Sequence, residues 1–86
     1  MKQKISHALV REQGITFAVV SVKDDVTYSQ QRAAEMIEFL TPIYSCPVVV
    51  MGETNRRMFG RTDIVNFLTR IHPARLPWRE GYVDFP

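Results

Sequence analysis

The 86-residue chain has little of several residue types on which small domains often depend. It has one cysteine, Cys46, so it cannot carry the several disulfides that small secreted domains commonly need. Its four glycines are dispersed, which leaves no phosphate-binding loop and no dinucleotide fingerprint. One cysteine and two distant histidines cannot supply the ligands of a zinc site. No metal and no other cofactor is therefore predicted.

Long apolar runs are also missing. The longest, FAVV and PVVVM, fall far short of the about 20 apolar residues that a membrane-spanning helix needs. The polar N-terminal segment has no apolar core of the kind found in secretory signals. With 45% apolar and 23% charged residues, the composition is that of a single globular domain over residues 1–86. These features predict a soluble, cytoplasmic protein without a membrane partner.

The first segment of the chain has a helical pattern. Residues 3–12 place Ile5, Leu9 and Val10 on one side of a helix. Gly14 follows where such a helix would end, because glycine readily adopts the left-handed conformation of a helix C-terminus. This segment is predicted to be a helix that precedes the sheet.

A strand and a second helix are predicted next. Residues 15–22 are almost all apolar and rich in β-branched side chains, which favours a strand buried on both faces. Residues 28–41 carry the clearest amphipathic helical pattern in the chain. Thr27 is the predicted cap of this helix, and Pro42 is predicted to end it or to lie just beyond it.

The remaining elements are two strands, a helix and a tail. An apolar strand at 48–51 and a short strand at 57–59 are predicted to form a hairpin. A last helix at 62–71 follows, with Thr62 as its cap. The tail at 73–86 is predicted to be irregular but docked, because it holds several large apolar side chains.

These elements predict a small α/β domain in the order helix, strand, helix, strand, strand, helix. The first two strands are joined by a helical crossover and should therefore be parallel. The third should pair antiparallel with the second. The expected architecture is a three-stranded mixed sheet flanked by helices.

Residues 46–71 resemble the second half of the thioredoxin and glutaredoxin fold. In that family a proline, usually cis, begins an apolar strand that is followed by a hairpin, a glycine and an amphipathic helix. Pro47, the apolar strand, Gly60 and the helix at 62–71 occur here in that order. The resemblance implies a truncated thioredoxin-like topology and a peptide-binding surface beside Cys46 and Pro47. The family's redox cysteine precedes this region and has no counterpart here, so redox activity is not implied.

Few residues suggest chemistry, and no catalytic residue is predicted. A cysteine nucleophile needs a lowered pKa or a neighbouring base, and neither is evident next to Cys46. The turn before the last helix combines Gly60 with Arg56, Arg57 and Arg61, and could bind an anion or a partner. Trp78 is a candidate contact residue, because tryptophan is enriched at interface hot spots.

A further candidate lies after the first strand, where the run Lys23-Asp24-Asp25 marks its carboxyl end. Ligands of open α/β sheets often bind at that edge. Two adjacent carboxylates could hold a cation, but no third ligand is apparent, and a structural loop is the favoured interpretation. A site collecting Lys23, Arg61 and the two aspartates would argue for ligand binding.

Three functions remain open from the sequence. The leading prediction is a non-enzymatic protein-interaction domain that forms a homodimer or binds another protein, because a short sheet leaves an edge to be paired. The first alternative is binding of nucleic acid or another polyanion through the arginines of residues 56–79. The second is an enzyme whose site is completed by a partner subunit.

Overall fold

The computed structural model describes residues 1–12 and 14–85, so Pro86 of the predicted tail lies outside the described residues. Its sheet has five strands in the spatial order β4-β3-β2-β1-β5. The elements along the chain are β1 (Lys2–Glu12), β2 (Ile15–Val22), α1 (Asp24–Thr27), α2 (Gln30–Tyr44), β3 (Val48–Gly52), β4 (Met58–Phe59), α3 (Thr62–Leu68), a 3-10 turn (Pro73–Arg75) and β5 (Trp78–Asp84). The α/β class is as predicted, but the prediction of a three-stranded sheet is wrong, because the sheet has five strands.

The predicted first helix is the strand β1. Ile5, Leu9 and Val10 match a helical spacing, but the segment is an extended strand that forms a hairpin with β2. Alternation decides the structure: Ala8 packs on one face of the sheet, while Ile5 packs on the other. Gly14, with φ 78°, lies in the turn between β1 and β2 instead of ending a helix.

The predicted irregular tail contains the second missed strand, β5. It pairs antiparallel with β1 from Lys2 opposite Asp84 to Ala8 opposite Trp78. The tail is docked as expected, because Leu76 and Val83 are both buried. The order of the chain is therefore β-β-α-α-β-β-α-β, with the first and last strands side by side.

The middle of the chain follows the prediction. Strands β2 and β3 are parallel and connected through α1 and α2, and β4 returns antiparallel to β3. Strand β2 spans the predicted residues. The helix ends differ: Ser29 caps α2 by accepting the backbone N–H of Arg32, and Pro42 lies inside that helix.

The last helix, α3, also differs at its ends. It stops at Leu68 instead of residue 71, and Thr62 is its first residue instead of its cap. Arg61 occupies the cap position and makes no side-chain capping bond there.

The sheet is covered on both faces. Helix α2 packs on the face that carries Val20, Val50 and Val83, while α3 and the segment around Leu76 cover the face that carries Val19. Strand β3 is the most enclosed element, since all five of its residues are buried. Among residues 1–12 and 14–85, no helix is long and apolar enough to cross a membrane.

Candidate interaction surfaces

Arg61 is held by a neighbour on its own chain. Its guanidinium donates to both carboxylate oxygens of Asp63, at 3.0 and 2.7 Å, and this contact lowers the pKa of Asp63. Gly60 has a structural reason of its own, because a Cβ there would lie 2.7 Å from Cγ2 of Val49. The close approach of this turn to β3 therefore explains the glycine without an anion.

Arg57 lies in a different environment. Its guanidinium carbon is 5.7 Å from the ring centroid of Tyr28 and 5.8 Å from that of Phe59. Both distances fall within the range of cation–π attraction. Arg56 precedes it with φ 60° and turns the chain between β3 and β4. This arginine–aromatic group lies at the β4 edge of the sheet.

Trp78 lies at the opposite edge, where β5 begins. The side chain is half-buried in the apolar cluster on the α3 side, and its Nε1 donates to the carbonyl of Pro73 at 2.7 Å. Its main contact is with its own sheet. Arg57 and Trp78 are therefore on different edges, and the structure does not gather the predicted anion- or partner-binding residues into one site.

Cys46 and Pro47 lie together at the entry to β3. Burial raises the pKa of the Cys46 thiol, which disfavours the thiolate form that a cysteine nucleophile requires. Two residues before Cys46, the hydroxyl of Tyr44 lies 2.6 Å from Nδ1 of His7. Pro47 follows a trans bond, since the described residues contain no cis peptide. Its carbonyl accepts the N–H of Ala18 and is thus used within the sheet.

The aspartate pair after β2 has separate structural roles. Oδ1 of Asp24 accepts the backbone N–H groups of Thr54 and Asn55, at 2.9 and 3.1 Å, and fixes the turn after β3. Asp25 instead forms an ion pair with Arg32 at 3.1 Å. Across residues 1–12 and 14–85, no three histidine, cysteine or carboxylate side chains are grouped as metal ligands. These contacts are structural, but the loop prediction is wrong, because Asp24 and Asp25 form the first turn of α1.

The two edges of the sheet differ in length, and this difference could not be read from the sequence. At one edge β4 has two residues, while at the other β5 has seven. Within the described chain, the outer side of β5 pairs with no strand. The sequence signal for β5 is the alternation of Val83 in the strand with Phe85 just after it, since both pack against the core on the α2 side of the sheet.

The direction of the β5 backbone groups follows from one hydrogen bond. The N–H of Phe85 donates to the carbonyl of Met1, so the odd-numbered residues of this strand face β1. The even-numbered residues, Glu80 and Tyr82 among them, consequently direct their N–H and C=O groups outward. Exposed groups of this kind can pair with another strand.

Comparison of the chain with protein-family models, with curated proteins and with solved structures gave no match. The resemblance to the thioredoxin and glutaredoxin family therefore stays a prediction from the sequence.

Proposed function

We propose that this protein is a non-catalytic interaction domain that forms a homodimer by pairing β5 with β5 of a second copy. The observation that carries the proposal is the seven-residue outer edge of β5, which contains neither lysine nor proline. Those residues commonly protect exposed sheet edges from further pairing. An antiparallel β5–β5 contact would join two five-stranded sheets into one.

The charges of β5 favour one register of such a pair. With Gly81 opposite Gly81, Glu80 lies opposite Tyr82 and Arg79 lies opposite Val83. Sliding one copy by two residues either way places Glu80 opposite Glu80 or opposite Asp84. Like charges directly opposite each other destabilise a strand pair, so the Gly81-centred register is preferred.

A backbone test separates edge pairing from contacts made by side chains. Tyr82→Pro removes an outward N–H without removing a bond to β1, whereas Tyr82→Ala keeps that N–H and removes the exposed side chain. We expect wild type and Tyr82→Ala to sediment at twice the 10.0 kDa chain mass, and Tyr82→Pro to sediment as a monomer.

Circular dichroism and Trp78 fluorescence check that Tyr82→Pro remains folded. A dimer with a dissociation constant of about 1 µM dominates at the tens of micromolar that sedimentation uses. A wild-type monomer at that concentration would overturn the proposal, and so would a folded Tyr82→Pro dimer.

A further inference from the structure

The sheet opens between β1 and β2 at the end remote from their connecting turn. Their register runs from Glu12 opposite Ile15 to His7 opposite Val20 and extends no further. Beyond this point β1 continues beside β5 as far as Lys2, while β2 continues beside β3 as far as Val22. Strands β1 and β2 thus separate, each staying paired with its other neighbour. A groove of about 640 Å³ lies between β1 and β2.

The backbone of β1 offers hydrogen-bonding groups to this groove. Because odd-numbered residues of β1 face β5, the even-numbered residues face the side of β2. The N–H and C=O of Lys4 therefore point into the groove at a place where the register with β2 has ended. The N–H of Ser6 points the same way. Lys2 to Ser6 form an open edge of about 17 Å, at about 3.4 Å per residue.

The two sides of the groove differ in polarity. On the α2 side the partly exposed apolar groups of Ile5, Met36 and Phe85 line it, together with the polar side chains of Gln3 and Arg32. On the other face of the sheet the lining is polar, with Ser6, Ser21 and an ion pair between Lys4 and Glu80. An occupant that fits both sides presents apolar groups to α2 and polar groups to the opposite face.

An extended peptide with alternating residues has this property, because successive side chains of a strand point to opposite faces. We propose that the groove binds an extended peptide segment of about five residues, apolar at alternate positions, that pairs with the open edge of β1. Backbone bonds to Lys4 and Ser6 would supply affinity, and the partly exposed apolar floor at Ile5 and Met36 would select the side chains. This site is separate from the outer edge of β5, so it does not depend on dimerisation.

The charged side chains around the groove are expected to contribute less to peptide recognition than the apolar lining does. The rim carries Lys4, Lys23 and Arg32 together with Asp25, Glu53 and Glu80, which gives no excess of either sign. Four of these six groups are engaged in ion pairs, Lys4 with Glu80 and Arg32 with Asp25. The groove is therefore expected to discriminate by alternation of apolar residues more than by net charge.

The test titrates a capped peptide of sequence Val-Thr-Val-Thr-Val into the full chain. Binding is monitored by the amide chemical shifts of the protein. We expect saturable shifts at Lys4, Ser6 and Ser21, with a dissociation constant of about 1 mM or tighter, as suits a short peptide. The isomeric peptide Val-Val-Thr-Thr-Val, which lacks the alternation, should bind about tenfold more weakly. Octanoate serves as a probe of purely apolar occupancy.

Two variants at one position test the backbone contact. Lys4→Pro removes the N–H that faces the groove and keeps the pairing of β1 with β5, whereas Lys4→Ala keeps that N–H. Loss of a backbone hydrogen bond should weaken peptide binding about tenfold in Lys4→Pro and leave Lys4→Ala close to wild type. Both titrations are repeated in the Tyr82→Pro background, so that self-association cannot change the result.

Several outcomes overturn the proposal. One is the absence of saturable shifts up to about 10 mM peptide, and another is equal binding of the two isomeric peptides. Binding to folded Lys4→Pro at wild-type strength would exclude pairing with β1. Octanoate binding at the same residues without peptide binding would identify a pocket for apolar small molecules.

Discussion

The middle of this molecule and its outer strands are held together in different ways. Strands β2 and β3 have consecutive buried residues, Phe17–Val20 and all of Val48–Gly52, and are covered on both faces. In the described parts of β1 and β5, by contrast, the buried residues are Ala8 and Val83, and most other positions are exposed. Burial of apolar surface stabilises the middle, whereas the outer ribbon depends more on backbone pairing.

Two leucines measure this contrast directly, and they should give the largest effect. Leu40 is fully buried in α2, while Leu9 on β1 is 54% exposed. We expect Leu40→Ala to lower the free energy of unfolding by about 2–5 kcal/mol, because it leaves a cavity. Leu9→Ala should change it by no more than about 0.5 kcal/mol. Urea unfolding of both variants gives the comparison, and similar losses would show that the two regions do not differ as described.

Two glycines make the same comparison at turns. A Cβ on Gly52 would lie 2.0 Å from Oδ1 of Asn55 and 2.9 Å from Oγ1 of Thr27, which bond to each other. We expect Gly52→Ala to cost about 2–3 kcal/mol by displacing these partners. Gly14 in the β1–β2 turn has open space but a φ of 78°, so Gly14→Ala should cost about 1 kcal/mol. Thermal unfolding distinguishes them, and the reverse order would contradict the assignment.

A pH effect should arise where the two regions meet, because Tyr44 of α2 contacts His7 of β1. Burial raises the pKa of both Tyr44 and Cys46 above their ordinary values of 10.0 and 9.0. The unfolded chain therefore ionises first, and stability is complete below pH 9.0 and declines as the pH rises through these groups. The double variant Tyr44→Phe, Cys46→Ala should flatten this alkaline decline in urea unfolding, and an unchanged slope would contradict it.

The smallest effect is expected at Arg61, which belongs to the middle region but is exposed. Its ion pair with Asp63 is solvent-accessible on both sides. Exposed pairs of this kind contribute little to stability. Arg61→Ala should unfold at the wild-type temperature, with Asp63→Asn as its matched control. A clear fall in melting temperature for either variant would show that the pair supports the start of α3.

The sequence predicted the middle region because its signals are local and strong. The β-branched run at 15–22, the amphipathic pattern of α2 and the apolar strand at β3 each indicate one structure without reference to the rest of the chain. The crossover rule then makes β2 and β3 parallel. The two strands are buried at nearly every position and α2 is apolar along one side, so their patterns have no competing interpretation.

The outer strands could not be predicted in the same way. In β1, Ile5, Leu9 and Val10 satisfy a helical spacing as well as a strand, and pairing with β5 decides between them. In β5, the charges and Gly81 weaken the strand pattern. The glycine has a packing reason, since a Cβ there would lie 2.6 Å from Cε1 of His7. Both reasons depend on contacts between the two ends of the chain.

The groove, too, was predicted only in part from the sequence. Lys23 and Asp25 were singled out by their position after β2, and both line the groove. Asp24 and Arg61 do not, because each is engaged elsewhere. The backbone groups that line the groove come from the edge of β1. The sequence predicted this segment to be a helix, so it could not predict an open strand edge there.

The pairing of Lys2 with Asp84 also has a consequence for folding kinetics. Bringing such distant residues together carries a larger loop-closure entropy than forming the β1–β2 turn, and non-local contacts slow folding. We expect Val83→Ala to speed unfolding and leave the refolding rate unchanged, as for contacts that form after the rate-limiting barrier. Trp78, the one tryptophan of the chain, begins β5 and supplies the stopped-flow signal. Slower refolding of Val83→Ala would instead place β5 in the folding nucleus. If folding follows this order, the pairing of β1 with β5 forms last. The outer edge of β5 proposed for dimerisation and the β1 edge proposed for peptide binding are then the last parts of the sheet to be completed.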